Sequence, residues 1–293
     1  MTPRASHLPA IAFMLSAVAL FALMDAGLKL LSPHYPPLQV AALRGLASLP
    51  LVLVWVLWTA KPATLWRVHW PLHLLRGALG IGMMFGFVYG LRSMPLSTAY
   101  AITFVAPMLV TAMAGPFLGE RVGPQRWIAI VVGLVGVLVI LRPTGQGMAT
   151  LGGLAILLAA ICYAASAITV RLLAQRDSIQ AMVLWFIVLL SLGAGIMAAP
   201  NWLPLQQADW WVIAGVGVSG SLAQVALTEA FRRGEASLIA PLEYSALVWG
   251  VCLDLALWHV LPDGVTWLGA GIIVVSGLYL LRREKVHAET EHP

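Results

Sequence analysis

The chain has 293 residues, of which 60% are hydrophobic and only 10% charged, and its mean hydropathy is +0.90. Such a chain cannot present a solvated surface, which excludes a soluble globular protein and marks an integral membrane protein. The net charge of +5 comes without any basic run interleaved with aromatic residues, which argues against nucleic acid as a partner, and two cysteines exclude a disulfide framework.

A helical span needs about 20 mainly apolar residues to cross about 30 Å of hydrocarbon. Ten stretches meet this, at residues 8–31, 38–60, 70–92, 96–118, 125–142, 150–172, 178–199, 209–231, 236–258 and 265–282. The predicted fold is therefore all-α, an integral membrane protein with ten transmembrane helices. Span one is too long for a signal peptide and lacks a small-residue cleavage pattern behind it, so it is expected to remain. It carries Phe21, Asp25 and Lys29. Arg44 in span two lies at a depth similar to that of Asp25, which allows an ion pair between the spans; an Asp25–Lys29 pair at i, i+4 is the local alternative, and a charge facing a watery path the functional one.

At the mouth of span three, His69 and His73 form the one i, i+4 histidine pair and read as interfacial residues, with no metal site implied. Gly82, Gly86 and Gly90 mark one face of that span, where small residues let a neighbouring helix approach closely. Span four carries Tyr100, Thr103 and Phe104 and has Pro107 in its middle, a place where a helix bends and frees a carbonyl. Tyr163 and Ser166 follow on span six, with Trp185 deep in span seven and Gln224 in span eight beyond the softening Gly215, Gly217 and Gly220. Span nine is the most polar, with Pro241, Glu243, Tyr244 and Trp249. Glu243 lies about seven residues in, with no basic neighbour along the helix, and is the strongest candidate for a substrate or proton contact. Trp249 reads as a cavity wall, whereas most other tryptophans sit near span ends, where indoles anchor at the headgroups.

The chain is also written twice. Gly119 to Trp127 with the apolar run behind it recurs about 140 residues later as His259 to Trp267, and both copies close on Leu-Arg, at Leu141-Arg142 and Leu281-Arg282. With the same offset Phe104 falls on Tyr244 and Trp127 on Trp267; an offset larger by two brings Phe21 onto Tyr163 and Lys29 onto Arg171. The units predicted are a first repeat over 1–145, a second over 146–283 and a cytoplasmic tail over 284–293. Five spans per unit make the copies lie inverted in the bilayer. Placing the N-terminus inside puts thirteen Lys and Arg residues on the cytoplasmic segments, among them Arg4, Lys61, Arg67, Arg121, Arg176, Arg233 and Lys285, against Lys29, Arg92 and Arg142 outside. That bias places both termini in the cytoplasm.

The block Pro95-Leu96-Ser97-Thr98-Ala99 through Pro107, then Leu118-Gly119-Glu120-Arg121, Gly133-Leu134-Val135-Gly136 and Leu141-Arg142, resembles one EamA-type repeat of the drug/metabolite transporter superfamily. Ala42-Leu43-Arg44 matches as well, and Ala240-Pro241-Leu242-Glu243-Tyr244 resembles the same unit in the second half. The second copy departs at Val260, where the repeat carries the glutamate seen at Glu120. The resemblance implies ten spans, a bacterial inner-membrane carrier, often an exporter, and a central cavity lined by spans one, three, four, six, eight and nine. Aromatic amino-acid exporters are the subgroup that suits these residues. Phe21, Tyr100, Phe104, Tyr163, Tyr244 and Trp249 can enclose a ring, while Thr103, Ser166, Gln224 and Glu243 can hold a zwitterion. Asp25, Arg44, the span-three glycines, Pro107, Glu120 and Pro241 are expected to serve structure or gating.

The expected partners are a small-molecule substrate, membrane lipid and protons as a candidate coupling ion, with no cofactor or metal. Carriage of vitamins, nucleosides or drugs is the alternative. A membrane-embedded enzyme of lipid-linked substrates is a distant one, because the twelve acidic residues are dispersed and no carboxylate or His-Glu cluster occurs. A channel is argued against by the duplicated inverted unit, which supplies two alternative closures.

Overall fold

The computed structural model describes residues 8–118, 124–141, 148–233 and 240–291. Glu120 and the turn around it lie outside the described residues. Every regular element among the described residues is helical: α1 (Leu8–Leu31), α2 (Pro37–Thr59), the short α3 (Pro62–Trp66), α4 (Trp70–Leu91), α5 (Leu96–Thr103), α6 (Ala106–Leu118), α7 (Pro124–Leu141), α8 (Met148–Ala174), α9 (Ile179–Ala198), α10 (Trp210–Arg233), α11 (Ala246–Leu253) and α12 (Gly264–Glu291). Seven stretches among the described residues are long and apolar enough to cross a membrane: α1, α2, α4, Leu96–Met113 across α5 and α6, Leu151–Ala174 in α8, Ile179–Asn201 and Gln207–Leu227. The chain is a multi-span membrane protein. In α7 and α12 the apolar parts, Trp127–Ile140 and Gly264–Tyr279, are shorter. The stretch at 236–258 differs most from a simple span, since its described part is a 3-10 turn (Ala240–Ser245), then α11, then a π turn (Asp254–Trp258).

Local chemistry accounts for these boundaries. Pro37 and Pro62 begin α2 and α3, at positions whose missing N–H has no partner to lose. The Ser178 hydroxyl accepts the Ala181 N–H at 3.2 Å at the start of α9, and the Asp263 carboxylate accepts the Thr266 N–H at 2.9 Å at the start of α12. Pro107 cannot donate to the Thr103 carbonyl, and its ring crowds that carbonyl. Hence α5 stops at Thr103, and the N–H groups of Met108 and Leu109 both turn to the Val105 carbonyl, at 3.0 and 3.1 Å. The π turn ends at His259, whose φ of 54° is left-handed, and the Val260 N–H reaches back to the Asp254 carbonyl at 3.2 Å. The His259 N–H donates to the Leu255 carbonyl at 3.2 Å, the bond of an αL cap.

The helices pack chiefly in four pairs, α1 on α10, α4 on α8, α2 on α9 and α7 on α12; α2 on α10, α4 on α9 and α6 on α8 come next, and α5 meets α11 over a smaller contact. Small residues set the approach. A Cβ on Gly86 would overlap the Ala155 carbonyl of α8, and one on Gly90 would lie 2.9 Å from the Gly152 carbonyl. Gly82 faces α8 through Cys162, so the span-three glycine face is the α4–α8 contact. Gly136 and Gly269 face each other across α7 and α12 in the same way, each Cβ falling at 3.0 or 2.8 Å from the other's carbonyl. With no hydrophobic driving force between helices in lipid, this backbone approach is what gains the dispersion contacts.

Each end of the bundle is fastened by an aspartate. At one end, Tyr35 donates to Asp209 Oδ2 at 2.7 Å and accepts the Gln206 N–H at 2.9 Å, while His34 Nδ1 lies 3.2 Å from the same carboxylate oxygen. Gln39 exchanges two hydrogen bonds with the Leu203 backbone there, at 2.7 and 2.9 Å. At the opposite end, Asp177 accepts the His69 N–H at 3.0 Å and lies 2.9 Å from His73 Nε2. His73 is therefore committed to a carboxylate, and no group of three metal-ligating residues occurs among the described residues. Trp185, deep by sequence, belongs to this end: its Nε1–H donates to the Leu65 carbonyl at 2.7 Å, and its ring meets Trp66 and Trp70 edge-on at 5.7 and 4.6 Å.

Replacing Gly86 by Ala should push α4 off α8 and destabilise the protein by about 1–3 kcal/mol, the usual range for overpacking. Gly215→Ala, where a Cβ meets nothing within 4 Å, should leave stability equal or higher. Thermal unfolding of the two purified variants in detergent checks the contrast; equal loss in both would mean the α4–α8 approach is not limiting.

Candidate functional site

Glu243 sits on the 3-10 turn before α11, half-buried, and acts electrostatically on Tyr163 of α8 and on Tyr244 beside it. The Tyr244 ring meets Phe104 edge-to-face at 5.0 Å and 82°, an arrangement that suits the quadrupoles of both rings. Gly277 of α12 makes room for the Tyr244 hydroxyl, which a Cβ would overlap. That hydroxyl and the Ser245 hydroxyl are buried without a hydrogen-bond partner among the described residues. Tyr163 is 45% exposed. Trp249, 41% exposed, lies further along α11.

The other expected contacts are placed elsewhere. Tyr100 is buried, donates to Asp25 Oδ2 at 2.9 Å and stacks on Phe87. The Thr103 hydroxyl donates to the Ala99 carbonyl at 2.9 Å, and the buried Ser166 accepts through its carbonyl from Thr169. Phe21 packs against the buried cluster that includes Met24, Leu28 and Val216. Gln224 lines a different cavity, of about 50 Å³, among α2, α4, α9 and α10, together with Arg44, Ser48, Arg76, Phe186 and Ser221. Pro241 lies in the 3-10 turn that carries Glu243.

The expected choice between two partners for Asp25 resolves into neither at ion-pair distance. Arg44 acts on Asp25 electrostatically, but among the described residues no ion pair within 4.0 Å joins Asp25 to Arg44 or to Lys29. Lys29 instead reaches Asp254 at 2.9 Å, with its ammonium 4.0 Å above the Trp258 ring. Asp254 has no exposure at all. Its two oxygens also accept the Leu96 N–H at 2.9 Å, and the Ser97 N–H and hydroxyl both at 2.7 Å. A carboxylate from the π turn thus caps the N-terminus of α5, where unpaired N–H groups and the helix dipole favour negative charge.

Two functional charges, Asp254 and Arg76, stand outside the candidate site residues of the sequence. Asp254 is signalled in the sequence as an acidic residue at the same end as Lys29, facing a Pro-Leu-Ser helix start; Arg76 is one of the thirteen basic residues that the topology count assigns to the cytoplasmic segments, although it lies six residues beyond Trp70, the first residue of α4.

The model of the EamA-like transporter family matches the chain twice, over residues 8–142 and 150–282. This chain belongs to the EamA-like transporter family. Curated relatives agree over nearly their whole lengths. A riboflavin transporter of Vibrio cholerae is 27% identical over 95% of each chain, and an S-adenosylmethionine uptake transporter of Rickettsia bellii 30% over 93% of each. A pseudopaline exporter of Pseudomonas aeruginosa is 26% identical over 90% of this chain and 93% of its own. A solved crystal structure superposes with a TM-score of 0.64 over 94% of this chain and 98% of that one at 20% identity, a likeness of fold. The protein is a small-molecule transporter of this family and not an enzyme.

Asp254→Asn should cost about 3–5 kcal/mol, because it strands the Lys29 ammonium in an apolar site. Adding Lys29→Met should recover part of that loss, as expected for two charges that need each other. Chemical or thermal unfolding of the single and double variants in detergent measures the coupling; strictly additive losses would remove the pair from the stability of this end.

Proposed function

We propose that the chain is a secondary transporter working by alternating access, built from two inverted five-span halves over 1–145 and 146–283, with a cytoplasmic tail over 284–293 and both termini in the cytoplasm of a bacterial inner-membrane protein. The observation that carries this reading is the helix pairing. Exchanging each span of one half for its counterpart in the other turns the α1–α10 contact into the α8–α4 contact, and returns α2–α9, α5–α11 and α7–α12 to themselves. The aspartate clasps follow the same exchange: Tyr35 and Asp177 lie in corresponding turns of the two halves, as do Asp209 and His69, and the clasps close opposite ends. Two alternative closures around one interior are what alternating access needs. The double family match, over 8–142 and 150–282, supports the same division.

The substrate we infer is an amino acid with an aromatic or other hydrophobic side chain, or a related small metabolite, and the direction export. Glu243 supplies a carboxylate for an ammonium or a proton. Phe104, Tyr163, Tyr244 and Trp249 supply ring faces and edges. A second reading, a vitamin carrier, is favoured by the relative named as a riboflavin transporter; a flavin would use the same rings without the ammonium contact.

Uptake into proteoliposomes of phenylalanine, leucine, thymidine and riboflavin, with and without a pH gradient, decides between these. Glu243→Gln should slow amino-acid transport about tenfold, equivalent to about 1.4 kcal/mol, and remove any effect of the gradient. Trp249→Ala should slow phenylalanine more than leucine. Riboflavin moving alone would favour the vitamin reading, and transport of all four unchanged in both variants would make the two residues packing. A single cysteine at Asn201 should react with an impermeant maleimide from outside; reaction only after the inner face is opened would overturn the inverted topology.

A further inference from the structure

The cavity among α2, α4, α9 and α10 holds more positive charge than its surroundings balance. Arg44 enters it from α2 and Arg76 from α4. Arg44 is seven residues past Pro37 and Arg76 six past Trp70, so each lies about 9–11 Å inside its own end of the bundle at 1.5 Å per residue. The two helices start at opposite ends, and the guanidiniums converge on one space. The hydrogen-bond partners of both are uncharged. Arg44 Nη1 donates to the Met84 sulfur. Arg76 Nη1 donates to the Met182 carbonyl at 2.8 Å, its guanidinium lies 4.6 Å from the Phe186 ring centroid, and its Nε is buried with no hydrogen-bond partner among the described residues. Among the described residues no carboxylate makes an ion pair with either, and the one carboxylate that acts on Arg44, Asp25, accepts the Tyr100 hydroxyl.

Charges inside spans are retained facing cavities and pathways, and each costs about 3 kcal/mol or more on insertion scales. A guanidinium fork matches the geometry of carboxylate and phosphate oxygens. One water needs about 10–15 Å³ of such space, so a cavity of about 50 Å³ takes a few waters or a single oxyanion group. The wall between the arginines adds the Ser48 and Ser221 side chains and Gln224.

We propose that this cavity is the anion subsite of the carried solute, in which Arg44 and Arg76 receive its carboxylate or phosphate group. The inference rests on the transporter reading above and deepens it. The solute is an organic anion or zwitterion, and a purely cationic or neutral compound lacks the group that the arginines need. The four helices around the cavity map onto themselves when the halves are exchanged, α2 with α9 and α4 with α10, so the subsite lies on the axis about which the proposed halves alternate. A lipid phosphate has the same chemistry and is the competing source of the anion.

Thermal unfolding of the purified protein in an uncharged detergent, at constant ionic strength set with chloride, tests this with inorganic phosphate, phenylalanine and phenethylamine as probes. Phosphate and phenylalanine should raise the midpoint saturably and compete with each other; phenethylamine, which lacks the carboxylate, should not. Arg44→Gln and Arg76→Gln should raise the apparent dissociation constant for phosphate at least tenfold. Arg76→Lys, which keeps the charge and removes the fork, should fall between, and remains informative if a glutamine variant fails to fold. A phosphate shift unchanged in all three variants overturns the subsite. So does an arginine-dependent shift seen only with anionic phosphatidylglycerol in vesicles and absent with phosphatidylcholine plus phosphate, which would assign the cavity to a lipid headgroup. Failure of the proteoliposome panel, with an arginine-dependent phosphate shift intact, would instead fall on the proposed amino-acid reading and leave the subsite standing.

Discussion

Asp254 is the carboxylate on which one end of the bundle is built. A buried charge in an apolar interior is tolerated only when its partners replace water completely. Here an ammonium, two backbone N–H groups and a hydroxyl do so. Those donors come from α1 and from the start of α5, and the carboxylate from the turn after α11, so three segments far apart in the chain must meet for any one of them to be satisfied. The break at Pro107 gives the contact added consequence. It leaves α5 as a helix of eight residues, too short to be held by its own hydrogen bonds, and the cap at its N-terminus fixes where it sits.

Away from that clasp two groups of polar residues of opposite character stand apart. Glu243 and its tyrosines form an acidic, aromatic centre on the α8–α11 side, and Arg44 and Arg76 a basic one among α2, α4, α9 and α10. Separation of the two signs matters in a low dielectric, because unit charges that met directly would neutralise each other and leave no contact for a solute. The packed pairs between them are lined with glycine where backbones touch. Such surfaces can slide without a large side chain being forced through a neighbour, while the aspartate clasps hold the loops at each end.

Much of this architecture was legible along the chain. The long apolar runs marked a membrane protein, because hydrocarbon admits only backbone that satisfies itself, and the duplicated blocks together with Pro107 and the glycines of α4 announced repeated units with bends and close contacts. The stretch at 236–258 was less legible. Hydropathy averages over residues and cannot distinguish a continuous helix from a 3-10 turn, a short helix and a π turn in succession. Tyr100 and Thr103 carry polar groups that look available in sequence, yet Asp25 and the Ala99 carbonyl use them.

By itself the sequence determined the class, the family blocks and the faces that helices present, because these depend on composition, periodicity and the stereochemistry of proline and glycine, all of which are local. Only the tertiary structure decided which charges meet. Lys29 has Asp25 four residues away on its own helix and nevertheless pairs with Asp254, 225 residues on. A buried ion takes the partner that excludes water and brings further hydrogen bonds with it, and sequence spacing does not encode that condition. The convergence of Arg44 and Arg76 has the same origin, since two residues entering from opposite ends share a cavity only after four helices have packed around it.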